Sequence, residues 1–102
     1  MADFELRYSP LFYDDLDKIT DYLLSELKNE LAVRSLIKNT EAAIKKRLNN
    51  PLSTTPYSSI SSRTHPYRRI IVGNYLIFYV VVANVMVVRR MLYGRMDLDK
   101  IL

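Results

Sequence analysis

The 102-residue chain has no cysteine, two glycines and one histidine, and each scarcity closes off a class of chemistry. Without cysteine there is no disulfide framework and no thiolate metal site, a composition compatible with the reducing cytosol. Both glycines, Gly73 and Gly94, sit where turns call for them, which leaves none for a phosphate-cradling loop. The single histidine, His65, lies between Thr64 and Pro66 in a loop and reads as a surface residue rather than a general base. No metal-ligand spacing and no nucleophile elbow is present, so no metal or cofactor is expected. Long hydrophobic runs are also missing. The longest, Tyr75 to Val88, is broken by Asn84 and is too short to span a bilayer as a helix. The opening MADFELRYS has no apolar stretch of export-signal length and carries early acids. A cytoplasmic protein without a membrane partner is the expectation.

What is present is globular: 49% of residues are hydrophobic and 25% charged, enough to bury a core in one domain spanning residues 1–102 and too little chain for two. The net charge is +4 and the pI about 9.4. The excess is uneven, since Met1 to Glu30 is acidic while Arg34 to Arg95 holds most of the lysines and arginines. Such asymmetry points to a basic face for an anionic partner, or simply to a soluble basic domain.

Phe4, Leu6 and Tyr8 alternate with charged residues, the period of a half-buried strand. Ser9-Pro10 then supplies an N-cap and an N1 proline. Phe12, Leu16, Ile19, Leu23 and Leu27 recur at helical spacing, with Asp14, Asp17, Lys18 and Asp21 on the other side. Asn29 caps a second helix striped by Val33, Leu36, Ile37, Thr40, Ala43, Ile44 and Leu48, which Asn49-Asn50-Pro51 stops. So short a connection makes the helices antiparallel. Pro51 to Pro66, rich in proline and hydroxyls, reads as a long loop, either functional or a tolerated connector. Three β-branched and aromatic runs follow, separated by Gly73-Asn74 and Ala83-Asn84, a hairpin pattern. The fold class is therefore α+β: an N-terminal strand, an antiparallel helical hairpin, and a three-stranded antiparallel meander forming one small sheet.

Two-residue turns fix a register in which Val72 opposes Tyr75, Arg69 opposes Phe78 and Phe78 opposes Arg89. Alternation then puts Tyr67, Arg69, Ile71, Leu76, Phe78, Val80, Val87, Arg89, Met91 and Tyr93 on one face. Ile70, Val72, Tyr75, Ile77, Tyr79, Val88 and Leu92, with Arg68 and Arg90, share the other. The second set is the expected core. The first is then an open face whose apolar floor, Leu76, Phe78 and Met91, suits a partner, with Arg69, Arg89 and Tyr93 as its polar members and Arg95 just beyond the strand. These arginines suit phosphate or acidic side chains, or else pair with Glu5, Asp97 and Asp99. Tyr93 suits stacking on a base or acid-base chemistry, or simply packs. The tail Arg95 to Leu102 carries Met96, Leu98, Ile101 and Leu102 and is too short for a stable isolated helix, so it is expected to dock on the sheet or on a partner.

The order strand, helical hairpin, loop and meander, with SPLFYDDLDKITDYL early and YRRIIVGNYLIFYVV then VRRMLYGRMDL late, resembles the RelE/ParE superfamily of type II toxin-antitoxin toxins over essentially the whole chain. The resemblance implies a growth-arresting toxin, associated with plasmid stabilization, neutralised by a cognate antitoxin and reaching operator DNA only through it. ParE-like members inhibit DNA gyrase and need no hydrolytic residues. RelE-like members are mRNA interferases that cut mRNA on the ribosome, and under that alternative Arg69, Arg89, Tyr93 and Arg95 would be catalytic. Tyr93 falls where ParE-like and some RNase members carry histidine. Leu76 falls where RNase members usually carry arginine, and a leucine cannot stabilise a phosphorane. The long helices and the RMDL ending are also more ParE-like. The ParE-like branch is preferred, with Tyr67, Leu76, Phe78, Met91, Arg95 and Leu98 as target- or antitoxin-binding residues.

Overall fold

The computed structural model describes residues 3–54, 56 and 65–94. Its elements are β1 (Glu5–Tyr8), α1 (Pro10–Ser25), α2 (Glu30–Leu48), β2 (Arg68–Val72), β3 (Tyr75–Val82) and β4 (Val85–Tyr93), the α+β fold read from the sequence. Most of the Pro51–Pro66 loop and the tail from Arg95 onward lie outside the described residues.

Local chemistry accounts for the helix ends. Pro10 opens α1 behind Ser9, whose hydroxyl makes no capping bond; the fixed proline φ suffices to start the turn. At the other end Asn29 N–H donates to the Leu23 carbonyl at 3.0 Å, with Lys28 at φ 48 making the reversal. Asn29 Oδ1 then accepts from Ala32 N–H at 3.0 Å and starts α2. Because α1 stops at Ser25, Leu27 falls beyond it and is exposed, as is Ile37 on α2. The remaining apolar stripes turn inward, and Phe12 and Ile44 are almost wholly buried. Each such side chain contributes roughly 1.5–3 kcal/mol.

The sheet order is β1-β4-β3-β2. The meander is antiparallel as expected, and β1 joins it on the far side of β4 in parallel, Glu5 beside Val85 through Tyr8 beside Val88. Both turns have two residues, with Val72 opposite Tyr75 and Val82 opposite Val85. The first turn residue is left-handed in each, Gly73 at φ 58 and Ala83 at φ 52.

One feature overturns the expected register. Tyr79 faces Val88 while Phe78 faces Arg90, so Arg89 is an extra residue on β4. This is a β-bulge, and an extra residue reverses the faces of everything after it. Met91, expected on the open face, is 1% exposed in the helix-side core, and Leu92, expected in that core, belongs to the opposite cluster. The helix-side core thus unites Phe12, Leu36 and Ile44 with Ile70, Val72, Ile77, Tyr79, Met86, Val88 and Met91.

Candidate functional site

The second face of the sheet is not an open apolar floor. Phe78 is 0% exposed and clusters with Tyr67, Val80 and Leu92, while Leu76, Val82 and Val87 are half-buried against them. The ring of Tyr67 meets that of Phe78 edge-on at 5.9 Å, one of the contacts of this buried cluster. Of the proposed contact residues, Tyr67, Phe78 and Met91 are therefore core in the isolated chain, and Leu76 is partly accessible. Arg95 and Leu98 lie outside the described residues.

The bulge also separates the polar members. Tyr93 pairs with Tyr75, their rings edge-on at 5.8 Å, and Tyr75 packs on the helix-side core. Burial raises the Tyr75 hydroxyl pKa, with neighbouring Tyr93 and Tyr22 adding to it. Arg69 instead sits opposite Phe78, which by alternation is the other face. Tyr93 is also three register rows from it, about 10 Å along the strands. Arg89, exposed on the bulge, is nearer the Arg69 row. Arg69 and Tyr93 thus do not share a face as the flat register implied.

The bulge is instead tied to α1. Asp15, buried on that helix, accepts from Arg90 Nε at 2.7 Å and from Arg90 Nη2 at 3.0 Å. Its Oδ2 also accepts from the Met91 backbone N–H at 3.0 Å. β1 has already ended beside Val88, where Ser9 N–H donates to the last carbonyl at 2.9 Å. The carboxylate therefore replaces the missing strand. The bond to Asp15 holds the Arg90 pKa above its ordinary value, against burial. This pair was missed in the sequence, although a carboxylate between Phe12 and Leu16 on an apolar stripe is a legible signal.

A second grouping lies between the last turn of α2 and the edge strand β2. A cleft of about 730 Å3 there is lined by Lys46, Arg47 and Arg69 with Asn50, Ser53 and Thr54. Among the described residues no carboxylate lines it. Arg47 is its fixed wall: Nη1 donates to the Arg69 carbonyl at 3.0 Å, to Tyr79 Oη at 3.1 Å and to Thr54 Oγ1 at 3.3 Å. Tyr79 Oη donates in turn to the Pro51 carbonyl at 2.6 Å, and Arg68 donates to the Thr54 carbonyl. Lys46 and Arg69 are exposed. The cleft's cations suit a carboxylate or phosphate, opposed by the α2 carbonyl terminus, which favours cations. Lys46 and Arg47 escaped sequence reading because a basic last helical turn is ordinary helix chemistry. Among the described residues no group of acids and histidine could hold a metal, and no helix is long and apolar enough to cross a membrane.

Comparison with known proteins fits this architecture. Compared by sequence with curated proteins, the chain matches none. In solved structures the fold recurs in the chromosomal ParDE toxin-antitoxin system from P. aeruginosa, at TM-score 0.71 and 14% identity over 91% of this chain and 98% of that one. It recurs in the RelB-RelE antitoxin-toxin complex from Methanococcus jannaschii, at TM-score 0.58 and 20% identity over 94% and 99%. YafQ from E. coli strain BL21(DE3) aligns at TM-score 0.54 and 15% identity over 88% and 92%. At these identities the likeness is one of fold. The family follows from the sequence model for the ParE toxin of the type II toxin-antitoxin system parDE, which matches residues 6–98: with nearly its whole length matched, the chain belongs to the ParE toxin family within the RelE/ParE superfamily.

Proposed function

We propose that this toxin acts by binding rather than hydrolysis, inhibiting DNA gyrase, and that a cognate antitoxin holds it inactive. The observation that carries the reading is the separation of Arg69 and Tyr93 by the bulge, together with leucine at position 76. Phosphodiester cleavage needs a proton-transfer group and charge stabilisers within hydrogen-bond reach of the same phosphate, and the described members of that set do not supply it. The family match supports the toxin part. The antitoxin reading is supported by neighbours that are toxin-antitoxin systems and by the basic cleft beside β2, which suits an acidic peptide.

The alternative, a ribosome-dependent mRNA endonuclease, draws support from the fold shared with RelE and YafQ and from the exposed Arg69 and Arg89. Purified chain titrated into a gyrase supercoiling assay is expected to inhibit it, and Tyr93→Phe to leave that inhibition intact. Ribosome-bound mRNA cut in a manner that Tyr93→Phe abolishes, with supercoiling untouched, would reverse the assignment. Truncation after Gly94 is expected to remove gyrase inhibition while antitoxin binding persists.

A further inference from the structure

Apart from the basic cleft, a small cleft opens between the β1–α1 junction and α2. Its walls are apolar, formed by Phe12, Leu16, Ile37 and Ile44. Tyr8 and Tyr13 stand beside Phe12 in a triad of rings, with centroids 5.2 to 5.7 Å apart. Thr40 lines it too, 3% exposed, and its Oγ1 makes no hydrogen bond within the described residues. A buried hydroxyl in that state is costly unless a partner supplies the missing bond. Glu41 completes the lining and takes part in none of the ion pairs among the described residues. Glu41 is exposed, and its charge helps raise the Tyr8 hydroxyl pKa, behind burial and Tyr13.

We infer that this cleft is a socket for one arginine side chain carried on the toxin's polypeptide partner. The volume, about 160 Å3, is close to the ~150 Å3 that accepts a single benzene-sized group. The isoleucine and leucine walls suit an apolar stem, Thr40 Oγ1 can pair with a donor or an acceptor, and the Glu41 carboxylate and the ring faces favour N–H donors carrying positive charge. A planar guanidinium meets all of these at once, stacking on an aromatic face while donating in several directions. A lysine ammonium cannot lie flat against a ring. A leucine or phenylalanine would leave the buried hydroxyl unanswered. The identity of the partner rests on the antitoxin reading above, whereas occupancy of the socket is measured on the chain alone.

The test is titration of the full chain with N-acetyl-arginine amide, followed by the methyl resonances of Thr40, Ile37 and Ile44. Saturable shifts at these methyls are expected, with the neutral citrulline analogue binding about fivefold more weakly, the value of one partly exposed charge contact. Glu41→Gln should erase that preference. Thr40→Val should weaken arginine binding while the melting temperature holds or rises, because an unsatisfied hydroxyl is removed from the core. Equal affinity for arginine and citrulline, tighter binding of the leucine analogue, or no shift at these methyls up to the solubility limit would each overturn the inference. A chain that fails in the gyrase assay yet binds arginine here refutes only the target, and the converse refutes only the socket.

Discussion

Asp15 carries more of the structure than its place in a run of acids suggests. Its two oxygens take three hydrogen bonds, from Arg90 and from the Met91 backbone, in a pair that is largely out of water. Removing one member of such a pair strands the other charge. Asp15→Ala is expected to cost about 3 kcal/mol in urea unfolding, and Asp15→Asn about 1 kcal/mol less, because the amide oxygen still accepts from Met91 N–H. An Asp15→Ala, Arg90→Ala double mutant should cost less than the sum of the single changes. The turns test backbone strain in opposite directions. Gly73 has open space where a Cβ would go, so Gly73→Ala should lose about 1 kcal/mol through its left-handed φ alone. Ala83 already occupies that region at φ 52, so Ala83→Gly should gain up to about 1 kcal/mol. Thermal melts of the two variants moving the same way would contradict the assignment.

Among the elements, β4 decides the site. It runs between β1 and β3, and its bulge at Arg89 turns Met91 toward the helices and Leu92 away from them. Arg89 itself points no buried group at anything, so Arg89→Ala is expected to change stability by less than about 0.5 kcal/mol. Deleting Arg89 is a different experiment. It would take out the one extra residue and leave Tyr79 opposite Val88, Phe78 opposite Arg90 and Ile77 opposite Met91, so that Met91 stays in the helix-side core and Leu92 outside it. A loss of about 1 kcal/mol, from straightening the strand beside Asp15, is expected from the deletion, read by circular dichroism during denaturation. A chain that fails to fold without Arg89 would mean that it is not a removable extra residue.

Over the whole molecule, pH dependence reports where tyrosines are shielded. Burial raises the hydroxyl pKa of Tyr8 and of Tyr75 above the ordinary 10.0, with neighbouring tyrosines and, for Tyr8, Glu41 adding to it. The folded chain thus holds these protons more tightly than the unfolded one. Their contribution is fully present below pH about 10 and is lost as pH rises through the raised values. The melting temperature should fall above that pH, and the Tyr8→Phe, Tyr75→Phe double variant should fall less steeply. An equal slope in both proteins would assign alkaline unfolding to other groups.

The sequence by itself determined the elements and the family. Proline at the start of α1, asparagine at the start of α2, two two-residue turns and the change of apolar period from helical to alternating are local signals, each settled within a few residues. Their order, with the quoted segments, carried the resemblance that the family match sustains. Tertiary structure alone decided which chemistry meets. The bulge inserts one residue into a strand with no glycine or proline to mark it, yet it turns Met91, Leu92 and Tyr93 to the faces opposite those that plain alternation gives. The parallel pairing of β1 with β4, the Asp15–Arg90 pair 75 residues apart in sequence and the meeting of Lys46 and Arg47 with Arg69 join positions that no periodicity links. Alternation fixes faces only while the register is unbroken, and the register is set by packing against the rest of the chain.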